Sequence, residues 1–340
     1  MPFGFVGTPR RIGKDFSPAA LGRDSRWRID MAAKQRENAL RLQGCQIRLF
    51  RCPICGSERF EPFASVFEYA WAQCSRCGHL FCETPPDEAA VAGLYSTEGD
   101  RRCAQGAIYV DEELFRARVE RIARPKVEFV ASVVGERGTW VDIGCATGEL
   151  LAAAQSLGWR SRGVESDADE IAFGRRHGLD IAAGFADASN IGGFIAGARV
   201  VSLVNVLEHL REPVELLAAA SAAVASGGYV VLEVPRHPSL SSLANQAFPE
   251  LACRHIYAPD HLHVFTEESA ERMLAGAGLA AVALWTFGQD FGDLVDTVIA
   301  ARLPGSDDRW RMVTGAACGM QKAVDEAGLS DTLFVIARKE

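Results

Sequence analysis

Four cysteines form two short pairs in the first quarter of the 340-residue chain. Two residues separate Cys52 from Cys55 and Cys74 from Cys77, and 18 residues lie between the pairs. A tetrahedral zinc ion takes four soft ligands, and each pair can supply two thiolates from one tight turn. The spacing therefore predicts a closed, structural zinc site. A redox-active pair is the alternative, but two pairs without a surrounding β-α-β pattern favour the metal.

A glycine-rich loop is the second motif that could carry chemistry, in the segment VDIGCATGEL at 141–150. Gly144 allows a sharp turn at the end of a predicted strand, and Gly148 lets the backbone approach a ligand where a helix begins. Glu165 ends the next predicted strand, where a carboxylate can accept hydrogen bonds from both hydroxyls of a ribose. A solvent-facing carboxylate is the alternative for Glu165. The glycine spacing is not the G-x-G-x-x-G pattern of nicotinamide sites.

The loop resembles the D-x-G-x-G-x-G signature of class I S-adenosylmethionine-dependent methyltransferases, with Ala146 in place of the middle glycine. A methyl group is tolerated there if the backbone does not need a positive φ. Segments 184–190, 204–217, 225–236 and 261–279 are similar to the same family, in the same order. The resemblance implies S-adenosylmethionine as the cofactor. It implies a cofactor site formed by Asp142, Gly144, Gly148, Glu165, Asp187 and Asn205.

A zinc ribbon in front of such a domain is loosely similar to the arrangement in bacterial sugar C-methyltransferases. This resemblance implies methyl transfer to a small polar metabolite, with a sugar or nucleotide-sugar preferred. Two alternatives stay open. One is an RNA methyltransferase that holds RNA with the zinc ribbon and a basic arm. The other is a non-catalytic protein that binds the cofactor, because Ala146 departs from the signature.

Histidines are the first candidates for a base that would deprotonate the methyl acceptor, because their ordinary pKa lies near neutrality. His209 follows the predicted fourth strand. The segment RHIYAPDHLHVF at 254–265 follows the fifth and contains His255 and three further candidates, so that the predicted catalytic residues are His209, His261, His263 and Tyr257. Packing or capping is the alternative for each of them. His261 and His263 could also form a metal pair, but the sequence shows no third ligand.

The elements that must position these residues alternate between strands and helices. The predicted strands are 139–144, 162–165, 179–183, 199–204, 229–234, 281–287 and 331–337. The predicted helices between them are 147–157, 167–177, 212–225 and 267–277. This order predicts an α/β fold with a doubly wound, mostly parallel, seven-stranded Rossmann-like sheet.

The sequence also predicts a division of the chain into four parts. They are a flexible basic arm at 1–45, the zinc-ribbon module at 46–84, a linker and helical lid at 85–134, and the methyltransferase domain at 135–340 with a helical insertion at 289–330. Residues 1–50 carry ten Lys or Arg against four Asp or Glu. Translation from Met31 is an alternative start.

The composition limits the partners and the compartment. The net charge of -8 argues against a protein that holds a long stretch of nucleic acid. No apolar run is long enough to cross a bilayer, and the start lacks the apolar core of a signal peptide. Ten scattered cysteines without an export signal indicate a reducing compartment. We therefore expect a cytoplasmic protein with a small-molecule substrate of the carbohydrate type and no membrane partner.

Overall fold

The structure is a computed structural model that describes residues 4–14, 25–87, 90, 110–249, 254–295 and 307–340. Most of the predicted linker, at 88–89 and 91–109, lies outside the described residues, as does part of the predicted insertion, at 296–306.

Twelve strands and ten α-helices have bounds within the described residues, and residues 290–295 are also helical. The strands are β1 (Arg10–Ile12), β2 (Phe60–Val66), β3 (Tyr69–Cys74), β4 (Leu80–Cys82), β5 (Thr139–Ile143), β6 (Arg160–Glu165), β7 (Ile181–Ala183), β8 (Val200–Val204), β9 (Tyr229–Pro235), β10 (His263–Val264), β11 (Leu279–Phe287) and β12 (Thr332–Lys339). The helices are α1 (Ser25–Arg41), α2 (Glu112–Arg118), α3 (Arg124–Val134), α4 (Glu149–Ser156), α5 (Ala168–Arg176), α6 (Ile191–Ile195), α7 (Pro213–Ala223), α8 (Leu240–Ala247), α9 (Glu267–Gly276) and α10 (Asp307–Glu326). A π-helical turn, Val119–Ala123, joins α2 to α3.

The large sheet has the strand order β1-β11-β12-β9-β8-β5-β6-β7. Strands β5 to β9 pair in parallel, whereas β12 is antiparallel to both of its neighbours. Helices α6, α7 and α9 pack on one face, and α3 and α4 pack on the other. The predicted Rossmann-like sheet is confirmed, and its parallel strands bring their carboxyl ends to one edge, where ligands bind in open α/β sheets.

The predicted number of seven strands is wrong, because the sheet has eight. The extra strand is β1, which pairs in parallel with Leu284–Thr286. The three residues of β1 show no alternation of apolar and polar side chains. They are held by tertiary contacts instead: the guanidinium of Arg11 lies 4.0 Å from the ring centre of Trp285, and Arg10 forms an ion pair with Glu267.

Regular secondary structure occurs within the predicted flexible arm at 1–45. It consists of strand β1 and of helix α1, formed by residues 25–41. The hydroxyl of Tyr69 donates a hydrogen bond to the carbonyl of Ala39 at 3.3 Å, so this helix contacts the smaller sheet. In the predicted lid, Val127, Val130 and the rest of the apolar face of α3 are buried against the large sheet.

The smaller sheet contains the cysteine segment and has the order β10-β4-β3-β2, with every pair antiparallel. Its fourth strand, β10, comes from a segment some 180 residues later in the chain. The ribbon is therefore not confined to the predicted module at 46–84. Pairing with β10 covers the edge of β4, whose backbone groups would otherwise lack partners.

Among the described residues, no helix is both long and apolar enough to cross a membrane.

Candidate functional site

The loop after β5 has a backbone that mostly glycine can adopt. Gly144 and Gly148 have φ values of 67° and 89°. A Cβ atom would lie 3.0 Å from Val206 Cγ2 at Gly144 and 2.5 Å from Leu179 Cδ1 at Gly148. Ala146 also has a positive φ, of 48°, so the alanine is held in a conformation that costs about 1–2 kcal/mol. Strain of this kind is typical of functional loops.

Glu165 lies at the end of β6, and both of its carboxylate oxygens accept hydrogen bonds from backbone N–H groups. Oε2 accepts a hydrogen bond from the backbone N–H of Ala146 at 3.0 Å. Oε1 accepts from the N–H groups of Ser166 and Asp167 at 2.6 Å and 2.9 Å. The carboxylate is therefore oriented in advance, at the carboxyl edge of the sheet.

Asp142 lies in β5 and is buried. Its carboxylate accepts a hydrogen bond from Ser202 Oγ at 2.5 Å. Ser202 Oγ in turn accepts a hydrogen bond from Trp140 Nε1 at 2.8 Å. Burial raises the pKa of Asp142 to about 7, although the Ser202 hydrogen bond and the charge of Lys126 oppose the shift.

A pH dependence follows from this buried carboxyl. Between the ordinary pKa of an aspartate and about 7, the folded protein binds a proton at Asp142 that the unfolded chain does not. The contribution of Asp142 to the free energy of unfolding therefore falls as the pH rises through this window. Relative to Asp142→Asn, the wild type is expected to lose about 2–3 kcal/mol between pH 5 and pH 8.

Urea unfolding of both proteins at the two pH values, without cofactor, measures this difference. The exposed Asp180→Asn is the matched control and should follow the wild type. A difference between wild type and Asp142→Asn that does not change with pH would contradict the assignment.

Asp187 and Asn205 lie at the same edge of the sheet, and both are exposed. Asp187 accepts hydrogen bonds from the hydroxyl of Ser189 and from the N–H groups of Ser189 and Asn190. These bonds lower the pKa of its carboxyl, and the bond from the Ser189 hydroxyl has the largest effect. Asn205 follows β8 with a φ of 54°. Phe185, two residues before Asp187, has a side chain that is 54% exposed. The sequence analysis did not select it, because an aromatic residue beside a strand usually packs in the core.

Three of the four predicted catalytic side chains meet beside this edge. The ring of His261 lies 4.7 Å from that of His209 and 4.4 Å from that of Tyr257, between centroids. Nδ1 of His209 donates to the carbonyl of Asp260 at 2.7 Å, since a carbonyl can only accept. The N–H of Leu262 donates to the carbonyl of Glu208 at 2.7 Å, which ties the two segments together.

The fourth candidate, His263, does not join this cluster. It is part of β10 and buried in the smaller sheet, where Nε2 donates to the carbonyl of Leu210 at 2.8 Å and Nδ1 lies 3.1 Å from His79 Nε2. Burial lowers the pKa of His263 to about 4, which makes it a weak base. His255 instead contacts Asp331, 3.1 Å from its Nε2, and burial lowers the pKa of this imidazole as well.

Glu208 is a residue of this region that sequence reasoning missed. It is fully buried, and neither carboxylate oxygen has a hydrogen-bond partner among the described residues. Burial raises the pKa of its carboxyl to about 8, with the neighbouring charge of Glu233 adding to the shift. Glu208 lies in a short 3₁₀ turn, Leu207–His209. A sequence does not show which side chains of such a turn are buried, so the only signal for Glu208 was its position next to His209.

The four predicted cysteine ligands converge. Their sulfur atoms all lie within 4.8 Å of one another, with 3.8 Å between Cys52 and Cys77 and 3.5 Å between Cys55 and Cys74. Zinc–sulfur bonds of 2.3 Å in a tetrahedron place the sulfurs about 3.8 Å apart. The donor set and its spacing therefore fit a zinc ion.

The second cysteine turn is docked on the large domain. Thr266 Oγ1, at the start of α9, donates to the carbonyl of Cys77 at 2.6 Å. A Cβ atom at Gly78 would lie 3.1 Å from Thr266 Cγ2, so the glycine permits this close approach. His79 is buried beside it and pairs with Ser269 Oγ at 3.2 Å.

Solved structures that match the chain at low sequence identity include several methyltransferases. One from Archaeoglobus fulgidus is 21% identical, covers 67% of this chain and 97% of its own, and gives a TM-score of 0.44. Geranyl diphosphate C-methyltransferase from Streptomyces coelicolor is 16% identical, with coverages of 73% and 88% and a TM-score of 0.42. One from Methanosarcina mazei is 12% identical, with coverages of 62% and 96% and a TM-score of 0.42. No curated protein matches the chain.

A family model described as a methyltransferase domain matches residues 115–284, which are half of the chain. The matched residues include the strained glycine loop, Glu165 and the cluster around His261. The chain thus belongs to the methyltransferase domain family and is an S-adenosylmethionine-dependent methyltransferase.

Proposed function

We propose that the protein transfers a methyl group from S-adenosylmethionine to a small polar metabolite, with a sugar or nucleotide-sugar preferred. The closeness of Val206 to Gly144 carries this proposal: Val206 Cγ2 lies 3.0 Å from the position that a Cβ atom at Gly144 would take. The same short segment continues to His209, so the cofactor loop and the cluster of His209, Tyr257 and His261 share one edge of the sheet. A methyl donor on the loop and an acceptor at the imidazoles would then be neighbours.

The cofactor site would be formed by the six residues that the sequence indicates. S-adenosylmethionine supplies a methyl group on a positively charged sulfur. Glu165 would accept hydrogen bonds from the ribose hydroxyls, and Gly144 and Gly148 permit the positive φ values that give the loop its shape. The exposed ring of Phe185, two residues from Asp187, would cover the adenine.

The cluster around His261 would act on the acceptor. Nδ1 of His209 and Nδ1 of His261 donate to backbone carbonyls, the latter to His255 at 3.2 Å. This fixes the tautomer in which Nε2 carries the lone pair that can take a proton. Imidazole and phenol groups together also suit an acceptor that carries hydroxyls. His263 stays outside this proposal because its ring lies in the smaller sheet.

Several observations argue against the two alternative functions. An RNA-binding arm would need cations that are available to phosphates, but Arg10 is paired with Glu267 and Arg11 covers Trp285. The net charge of -8 also opposes binding to RNA. A non-catalytic protein that binds the cofactor would have no use for the cluster of imidazoles beside the loop. We therefore keep the small-molecule reaction, in a cytoplasmic setting that fits the free thiols of the described cysteines.

The four-cysteine site would bind zinc as a structural ion. We expect about one zinc per chain in freshly purified protein, and Cys74→Ser should lose it because one of four ligands is removed. The variant should loosen residues 46–84 and leave the large sheet folded, which hydrogen exchange can measure. Cys45→Ser, outside the cluster, is the matched control. Freshly purified protein that contains no zinc would contradict the assignment.

Two measurements test the proposed reaction. Calorimetry with S-adenosylmethionine should show one site per chain, and a protein that binds no S-adenosylmethionine would contradict the proposal. A screen of nucleotide-sugars for formation of S-adenosylhomocysteine should then identify the acceptor. Turnover on RNA in place of every sugar would overturn the substrate class while keeping the enzyme class.

A further inference from the structure

We propose that Glu208, His209 and His261 form a second metal site, for a divalent transition-metal ion, beside the proposed methyl acceptor. The site differs from the four-cysteine site in its donors and in its place in the fold. The inference deepens the proposed function, because the ion would lie where the acceptor is deprotonated. Metal binding can nevertheless be measured without any turnover.

The three side chains bring their donor atoms together. One carboxylate oxygen and one ring nitrogen from each histidine all lie within 4.8 Å of one another. Ligands about 2.1 Å from a tetrahedral ion are about 3.4 Å apart. Binding an ion therefore needs the donor atoms to approach one another by up to about 1.4 Å. The hydrogen bond from Leu262 N–H to the Glu208 carbonyl already holds the two segments together.

Glu208 provides the second, independent observation. It is fully buried with two carboxylate oxygens that have no hydrogen-bond partner among the described residues. Burial without a partner disfavours the charged form of a carboxyl group, and a cation beside it would favour that form. The neighbouring Glu233, by contrast, forms an ion pair with Lys126 at 2.5 Å. A bound cation would give Glu208 the partner that the described residues do not supply.

The histidines have the hydrogen bonds that metal ligands need on their outer side. A ligating imidazole almost always donates its other ring N–H to a carbonyl or carboxylate. Nδ1 of His209 donates to the carbonyl of Asp260, and Nδ1 of His261 donates to the carbonyl of His255. Both rings are thereby held in the tautomer that coordinates through Nε2.

The donor set indicates the kind of ion and its use. Two imidazoles and one carboxylate suit zinc, iron(II), cobalt or manganese rather than magnesium or calcium. Three protein ligands leave positions for an oxygen of the acceptor. An ion there would orient a hydroxyl and lower its pKa, so His209 and His261 would hold the ion while the ion makes the acceptor acidic.

Cobalt(II) is the probe, added to full-length protein that holds one zinc ion per chain, in the four-cysteine site. We expect one equivalent to bind with weak visible bands and without the intense near-ultraviolet band of a thiolate–cobalt bond. In proton NMR, two strongly shifted exchangeable signals should appear, from the ring N–H groups of His209 and His261. This measurement needs no variant and therefore does not depend on how any variant folds.

Variants then identify the ligands. Glu208→Gln and His261→Asn should weaken cobalt binding by more than about 100-fold, since loss of an outer-shell partner alone costs 10- to 100-fold. The matched controls Glu212→Gln and His177→Asn, outside the cluster, should bind as the wild type does. Calorimetry with S-adenosylmethionine shows whether each variant keeps its fold and reports the proposed function separately.

Three results would overturn the metal site. They are a wild type that binds no cobalt below about 1 mM, a spectrum with only the thiolate band, and undiminished binding in both ligand variants.

Discussion

Alanine in place of His209 or His261 is expected to lower the rate of methyl transfer by about 10²- to 10⁴-fold. A loss of this size is expected because each histidine would help to deprotonate the methyl acceptor, either as a general base or as a ligand of the proposed metal ion. The affinity for S-adenosylmethionine should hardly change, because these side chains lie on the acceptor side of the methyl group. Steady-state turnover and calorimetry on the same preparations separate the two effects.

His177→Asn is the control for this experiment, since its ring stacks on Phe115 away from the cluster. His263→Asn is a second comparison: its effect should appear in stability, because the ring is buried in the smaller sheet. If alanine at each of His209, His255, His261 and His263 leaves turnover within a few-fold of the wild type, no histidine acts on the acceptor. Tyr257, or orientation of an already nucleophilic acceptor, would then explain the rate.

Valine in place of Gly144 is expected to abolish binding of S-adenosylmethionine. The substitution forces a β-branched residue into a φ of 67° and places its Cβ 3.0 Å from Val206 Cγ2, so the loop must move. Glu165→Ala should weaken binding by about 1–3 kcal/mol, because the ribose hydroxyls lose a charged acceptor. Calorimetry with S-adenosylmethionine measures both.

Gly197→Val is the matched control for the glycine. Its φ is 73°, but a Cβ atom there would meet nothing within 4 Å, so it carries the backbone strain without the contact. Glu165→Gln keeps the size of the side chain and removes only the charge. Unchanged affinity in both Gly144→Val and Glu165→Ala would mean that the nucleotide binds elsewhere on the protein.

The parts of the site that depend on short stretches of chain were predictable from sequence. A strand followed by a glycine-rich turn and a helix places Gly144 and Gly148 whatever the rest of the chain does, because the geometry is local. The alternation of strands and helices likewise predicts the Rossmann-like sheet, since apolar strands buried on both faces need helices on either side. Each cysteine pair also defines its own turn.

Contacts between distant segments were not predictable in this way. Strand β1 has no periodic pattern and exists because Arg10–Ile12 pairs with β11. The same holds for β10, whose two residues complete the smaller sheet and remove His263 from the predicted catalytic group. Pairing of this kind depends on which edges are exposed after the chain has folded.

The sequence by itself determined the enzyme class, the cofactor loop and the cysteine pairs, because these follow from spacing within about ten residues. Only the tertiary structure decided which histidines meet, and it alone revealed Glu208 as a buried carboxylate facing two of them. Burial and the absence of a partner are properties of packed surfaces from several segments, and the identity of one residue does not contain them.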